Sequence, residues 1–71
     1  MSTELAAPIT GTVWKVEKAA GEQVAEGEAI VILESMKMEI PVEAPRAGQV
    51  REVRVQPGQA VKEGQILAVL D

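Results

Sequence analysis

Apolar residues fall along this chain in short runs rich in Val and Ile, and Gly or Pro interrupts nearly every stretch of ten residues. That pattern speaks for strands and against helix. The alternation predicts strands near 3–8, 11–17, 28–34, 38–43, 48–55 and 65–70, with two shorter pieces around 23–25 and 60–62. Gly21-Glu22-Gln23 and Pro57-Gly58-Gln59 read as turns between them. One spacing resists a flat strand of period two. Val13 and Val16 lie three apart, as do Val50 and Val53, so a bulge or bend is expected inside each of those strands.

The same pattern occurs twice. Residues 7–34, moved along by 37 positions, lie on 44–71 without a gap, with 10 identities in 28 pairs. Ala7-Pro8 falls on Ala44-Pro45, Val13 on Val50, Val24 on Val61 and Leu33 on Leu70. All six glycines fall into three pairs: Gly11 with Gly48, Gly21 with Gly58, Gly27 with Gly64. Glycine records a backbone need, so the halves are expected to share their turns, and all six glycines are assigned to turns. Two copies are too few for a solenoid. They imply an all-β domain with one core shared by two halves about a pseudo-twofold axis. Val13, Val16, Val24, Ile30, Ile32, Leu33 and their second-half partners are expected to fill that core, with Trp14 a partly buried cover over it.

The segment 34–43 joins the two halves, and its symmetry counterpart is the pair of chain ends. The joining turn is therefore expected at one end of the domain and the termini at the other. It reads Glu34-Ser35-Met36-Lys37-Met38-Glu39, between Ile30-Val31-Ile32-Leu33 and Ile40-Pro41-Val42, so it predicts a hairpin with Met36-Lys37 at the tip. Neither residue favours φ > 0, and local rules of this kind are broken where function overrides them. A lysine at a tip can serve solubility alone, and methionines can fill gaps in a core. At a tip there is little core to fill. Two methionines bracketing a lysine there suit a contact surface that another protein reads.

Composition narrows the chemistry. Seventy-one residues make one domain at most, and so short a chain buries only about 60% of the surface its unfolded form exposes. The chain has no Cys and no His, which removes disulfides, thiolate metal sites, the commonest metal ligand and the commonest general base. A nucleophile–His site cannot be built from it, and with no His, no Cys and no clustered carboxylates an enzyme in its own right is not expected. The net charge is −4, the charges alternate in sign, and Trp14 is the sole aromatic residue. There is no basic stripe and no stacking platform for nucleic acid. The longest apolar runs, Ala29 to Leu33 and Ile66 to Leu70, are far below the roughly 20 residues of a membrane span, and the start lacks the pattern of a signal peptide. A cytoplasmic protein, monomeric as an isolated domain and without membrane or nucleic-acid partners, is expected.

Glu34-Ser35-Met36-Lys37-Met38-Glu39 resembles the attachment motif of the biotin carboxyl carrier family, in which a Met-Lys-Met tripeptide sits at a hairpin tip. The likeness extends over nearly the whole chain, through both Ala-Pro pairs and Pro57-Gly58-Gln59-Ala60-Val61-Lys62-Glu63-Gly64. The resemblance implies a flattened barrel-sandwich hybrid of two short antiparallel sheets, and residues 1–71 as a single biotinyl carrier domain. It implies that Lys37 carries biotin, and that Glu34, Ser35, Met36, Met38 and Glu39 are read by a biotin protein ligase. The carrier would pass carboxyl groups from a biotin carboxylase to a carboxyltransferase. Two departures stand out. Ser35 occupies a position usually held by Ala, and Glu17 to Gln23 is no longer than Arg54 to Ala60, so the loop that some bacterial members add there is absent. Two alternatives share the fold. Lipoyl domains, which carry lipoate on the equivalent lysine, usually place an acidic residue before it and a small apolar one after it, and here both flanks are Met. Unmodified adaptor domains usually open the joining hairpin to a long insertion, and here the turn is short.

Overall fold

The computed structural model describes residues 2–71 and contains eight strands and no helix. They are β1 (Thr3–Ala6), β2 (Gly11–Val16), β3 (Gln23–Val24), β4 (Ala29–Ser35), β5 (Met38–Glu43), β6 (Gly48–Val53), β7 (Ala60–Val61) and β8 (Ile66–Leu70). They form two four-stranded antiparallel sheets, ordered β1-β8-β6-β3 and β5-β4-β2-β7, which pack as a flattened sandwich 32 × 17 × 17 Å in extent. Moving any strand of β1–β4 along by 37 residues gives its partner in β5–β8. The sheet orders then interchange, so each half gives two strands to either sheet and neither half has a core of its own. The strands expected at 3–8, 11–17 and 48–55 stop earlier, at Ala6, Val16 and Val53. After β1 the chain turns away at Ala7, whose N–H donates to the Gln65 carbonyl, and Pro8 has no N–H to continue a ladder. Pro41 is tolerated inside β5 because β5 is an edge strand.

The symmetry extends to individual hydrogen bonds. Gly27 N–H donates to Ala44 O and Gly64 N–H to Ala7 O, and Gly21 N–H donates to Val50 O as Gly58 N–H does to Val13 O, all at 2.8–2.9 Å. These four glycines have φ between +83° and +93°, a region that penalises every residue with a Cβ. Gly11 and Gly48 depart from expectation. They open β2 and β6, have no positive φ, and serve by close approach instead of by turning the chain. Four turns are closed by a side chain three residues on: Glu22, Glu28, Gln59 and Gln65 accept from the N–H of Ala19, Ala25, Gln56 and Lys62.

The register explains the irregular spacing. Val13 pairs with Leu33 and Lys15 with Ile32, which leaves Trp14 as an extra residue in β2; Val50–Leu70 and Glu52–Val69 leave Arg51 in the same position in β6. The bulges expected between Val13 and Val16 and between Val50 and Val53 are present. A second symmetric pair lies at Ile30 and Leu67, skipped between Ala29–Glu43 and Val31–Val42 and between Ala6–Ile66 and Leu5–Ala68. These two turn inward, so Ile30-Val31 and Leu67-Ala68 are consecutive buried residues. The core of Val13, Val24, Ile30, Leu33, Val50, Val61, Leu67 and Leu70 is wholly apolar among the described residues. Val16 and Val53, expected inside, are half-buried against its margin, and Ile32, also expected inside, is half-buried. Trp14 also departs from expectation. The bulge throws it onto the outer face, where it is 47% exposed, and its counterpart Arg51 reaches out to Asp71 at 3.7 Å.

Candidate functional site

β4 follows directly on the turn Ala25–Glu28 after Val24, which pairs with Gly48 next to the carbonyl of Asp71, and it ends at Ser35 beside Gly11, which pairs with Val61. Its seven residues, about 23 Å at 3.3 Å each, therefore run from the end where Thr3 pairs with Leu70 to the opposite end. There β4 and β5 meet in a hairpin whose last pair is Ser35–Met38. Only Met36 and Lys37 lie in the loop, with φ of 52° and 64°. Positive φ at both central residues is the signature of a type I′ turn, whose twist matches that of the strands. Asn-Gly is its favoured sequence, and a residue with a Cβ costs about 1–2 kcal/mol in this region. Met36 and Lys37 are the non-glycine residues of the described chain with positive φ.

The tip is open. Met36 is 89% and Met38 62% exposed, and Lys37 is exposed with no hydrogen-bond or ion-pair partner among the described residues. Glu34 and Glu39 stand directly opposite each other one step below, also exposed. Like charges facing across a ladder are unfavourable, and neither carboxylate has a cation partner among the described residues. Ser35 is half-buried, its Cβ 3.3 Å from where a Cβ on Gly11 would lie. All six residues of the motif thus occupy one hairpin end. Sequence reasoning missed the support beneath them. The Cα of Gly11 faces the carbonyl of Glu34, and its signal was the glycine pair 11/48 set against the pair 34/71 under the same 37-residue shift.

The described residues enclose no pocket and hold no cluster of metal-ligating side chains, and no described helix is long and apolar enough to cross a membrane. What the site offers is one exposed primary amine at the end of a hairpin, unpaired among the described residues, with apolar flanks that a partner can grip. A group joined through an amide to such an amine would need no binding cavity. This fold and site define a carrier domain, which presents a prosthetic group and leaves the chemistry to others.

The profile of the protein family described as biotin-requiring enzyme matches residues 1–70, and the chain belongs to that family. It is a biotinyl domain, with biotin as its cofactor. It is 52% identical over 40 residues to the biotin/lipoyl attachment protein of Bacillus subtilis, a match covering 56% of this chain and 55% of that one. To a biotinylated protein TB7.3 homolog of Mycobacterium leprae it is 46% identical over 48 residues, 68% of either chain. The fold superposes on a part of the Kluyveromyces lactis urea carboxylase with a TM-score of 0.95 and 32% identity, covering all of this chain and 6% of that one. It superposes likewise on part of a single-chain, multi-domain long-chain acyl-CoA carboxylase, with a TM-score of 0.91, 38% identity and 96% of this chain covered against 7% of that one. The chain thus matches little more than half of the Bacillus relative and a small part of each carboxylase.

Proposed function

We propose that Lys37 is the residue that carries biotin and that the domain moves carboxyl groups between a biotin carboxylase and a carboxyltransferase. The observation that carries this reading is the isolation of the Lys37 amine on a two-residue left-handed turn between two exposed methionines, in a chain of the biotin-requiring family. A biotin protein ligase supplies the activated acyl group. The Lys37 ammonium gives one proton to solvent, the free amine attacks the acyl carbon, an amide bond forms as the bond to the activating group breaks, and the nitrogen's second proton leaves to the departing group or to solvent. The step removes one positive charge, taking the net charge from −4 to −5. Among the described residues no carboxylate is ion-paired with Lys37, so activation belongs to the ligase. Glu34, Ser35, Met36, Met38 and Glu39 form the surface the ligase reads.

Bound biotin supplies a ureido nitrogen that accepts and releases a carboxyl group. The chain's own part is mechanical. The sandwich holds the hairpin away from the end where Thr3 pairs with Leu70, and tethering keeps the attached group at high effective concentration at both enzyme sites. The likeness to parts of urea and acyl-CoA carboxylases supports partners of that class. The experiment is intact mass after incubation with a biotin ligase, with a lipoate ligase in parallel because the Bacillus relative is named for both groups. One biotinyl group mapped to Lys37, and none on Lys37→Arg with an unchanged circular dichroism spectrum, is expected. Labelling of Lys37→Arg would move the site to another lysine. Labelling of the native chain by the lipoate ligase alone would replace biotin with lipoate.

A further inference from the structure

The sulfur of this chain is distributed unusually. There is no Cys, and of the three methionines the two described ones, Met36 and Met38, both sit at the hairpin tip. The described core is filled by Val, Leu, Ile and Ala, so neither Met36 nor Met38 is used to fill gaps. Exposed large apolar side chains number three among the described residues, and two of them bracket Lys37. An exposed thioether is open to two-electron oxidation, and the product can be reduced enzymatically.

We propose that Met36 and Met38 are a reversible oxidation site that gates recognition of Lys37. The proposal rests on the reading of the tip as a ligase-recognition surface. The oxidant is a hydroperoxide. Its outer oxygen passes to the methionine sulfur, the S=O bond forms as the O–O bond breaks, and the remainder leaves as water or alcohol. Sulfur is oxidised and the peroxide reduced. Return to the thioether needs a thiol-dependent methionine sulfoxide reductase, in which two thiols become a disulfide and the oxygen leaves as water.

The structural consequence is local. At 89% and 62% exposure neither side chain supports the core, so adding an oxygen to each leaves the sandwich intact. The consequence for recognition is large. A flexible apolar flank becomes a polar one, and a partner that buries it must strip water from the sulfoxide dipole without a partner group prepared for it. Oxidation therefore withdraws Lys37 from its ligase while the fold persists.

The test treats the unmodified full chain with dilute hydrogen peroxide, maps the added oxygens by peptide mass, and measures biotinylation kinetics with and without methionine sulfoxide reductase. Expected are one oxygen each on Met36 and Met38, an unchanged melting temperature, and a fall in kcat/KM for biotinylation of about tenfold that the reductase reverses. The Met36→Leu/Met38→Leu double variant keeps apolar flanks without sulfur, and peroxide should leave its own rate unchanged. Equal labelling of native chain before and after oxidation overturns the gate, as does a peroxide-induced fall in the double variant, which would place the effect outside these residues. A native chain that takes no biotin even before oxidation overturns the carrier reading and the gate with it.

Discussion

Gly11 stands so close to Glu34 that a Cβ built on it would lie 2.6 Å from the Glu34 carbonyl oxygen and 3.3 Å from the Ser35 Cβ. The base of the hairpin therefore rests on the bare backbone of β2. Its symmetry counterpart differs in kind. A Cβ on Gly48 would meet the end of the Arg46 side chain at 2.9 Å and the Asp71 carbonyl at 3.2 Å. A guanidinium can swing aside, whereas the ladder between β2 and β4 cannot. Gly11→Ala should cost about 1–3 kcal/mol in urea unfolding, as other insertions into packed sites do, and Gly48→Ala clearly less. Labelling separates them further. Gly11→Ala should slow biotinylation because it displaces the strand that ends in the tip, while Gly48→Ala, at the other end, should not.

The turn itself holds strain. Met36 has φ of 52° and is 89% exposed, so its side chain gains nothing from burial that could offset the left-handed backbone. Met36→Asn supplies the residue type this turn position favours and should stabilise the domain by about 0.5–1 kcal/mol, read as a higher urea midpoint at unchanged slope. The same variant should be biotinylated more slowly, since it removes an apolar flank of Lys37. A gain in both stability and labelling would mean that the methionine serves neither.

The 37-residue repeat made the shared core, the matched turns and the position of the hairpin legible, because identical glycines at identical spacing constrain the backbone in the same way twice. The Val13/Val16 spacing announced the bulges for the same reason. Three features were hidden. Glycine marks either positive φ or close approach, and nothing local in Gly11 or Gly48 separates these, so the sequence alone points both to turns. The outward turn of Trp14 follows from its being the extra residue at the bulge, which depends on the pairing of Val13 with Leu33 some twenty residues away. The interchange of strands between sheets is likewise a long-range register. At the tip, the conflict between Met36-Lys37 and turn chemistry was visible in the sequence, and the left-handed backbone bears it out.

Glu28 gives the turn before β4 a pH dependence that its counterpart lacks. Its carboxyl is held below the ordinary carboxylate value, first by the Ala25 N–H that donates to it and then by Lys18, whose ammonium lies at 3.0 Å. The Lys18 ammonium is correspondingly raised, chiefly by that same hydrogen bond to Glu28. A lowered carboxylate contributes stability above its unfolded pKa and loses it as pH falls through the folded value; a raised lysine contributes below its unfolded pKa and loses it as pH rises through the folded one. The pair is therefore most favourable between the two. Gln65 makes the same turn bond to Lys62 without charge. Glu28→Gln should keep the turn, lower stability slightly near neutrality, and converge with the native chain in acid. Thermal unfolding across the acid range, monitored by circular dichroism, measures that convergence.

Glu39 faces Glu34 directly across the ladder, and neither carboxylate is ion-paired among the described residues, which is the reverse of what a sheet selects for its own stability. Glu39→Lys would replace that repulsion by a cross-strand pair and should stabilise the hairpin by about 0.2–1 kcal/mol, the range for favourable opposite-charge pairs. The gain should shrink in high salt, because both groups are exposed. If the two carboxylates are kept as part of the surface a biotin ligase reads, the same variant should raise KM for the protein substrate with little change in kcat, since Glu39 has no part in the acyl transfer itself. A variant that is more stable and equally well labelled would leave the acidic pair as solvated charge, and recognition would then fall to Met36 and Met38 alone.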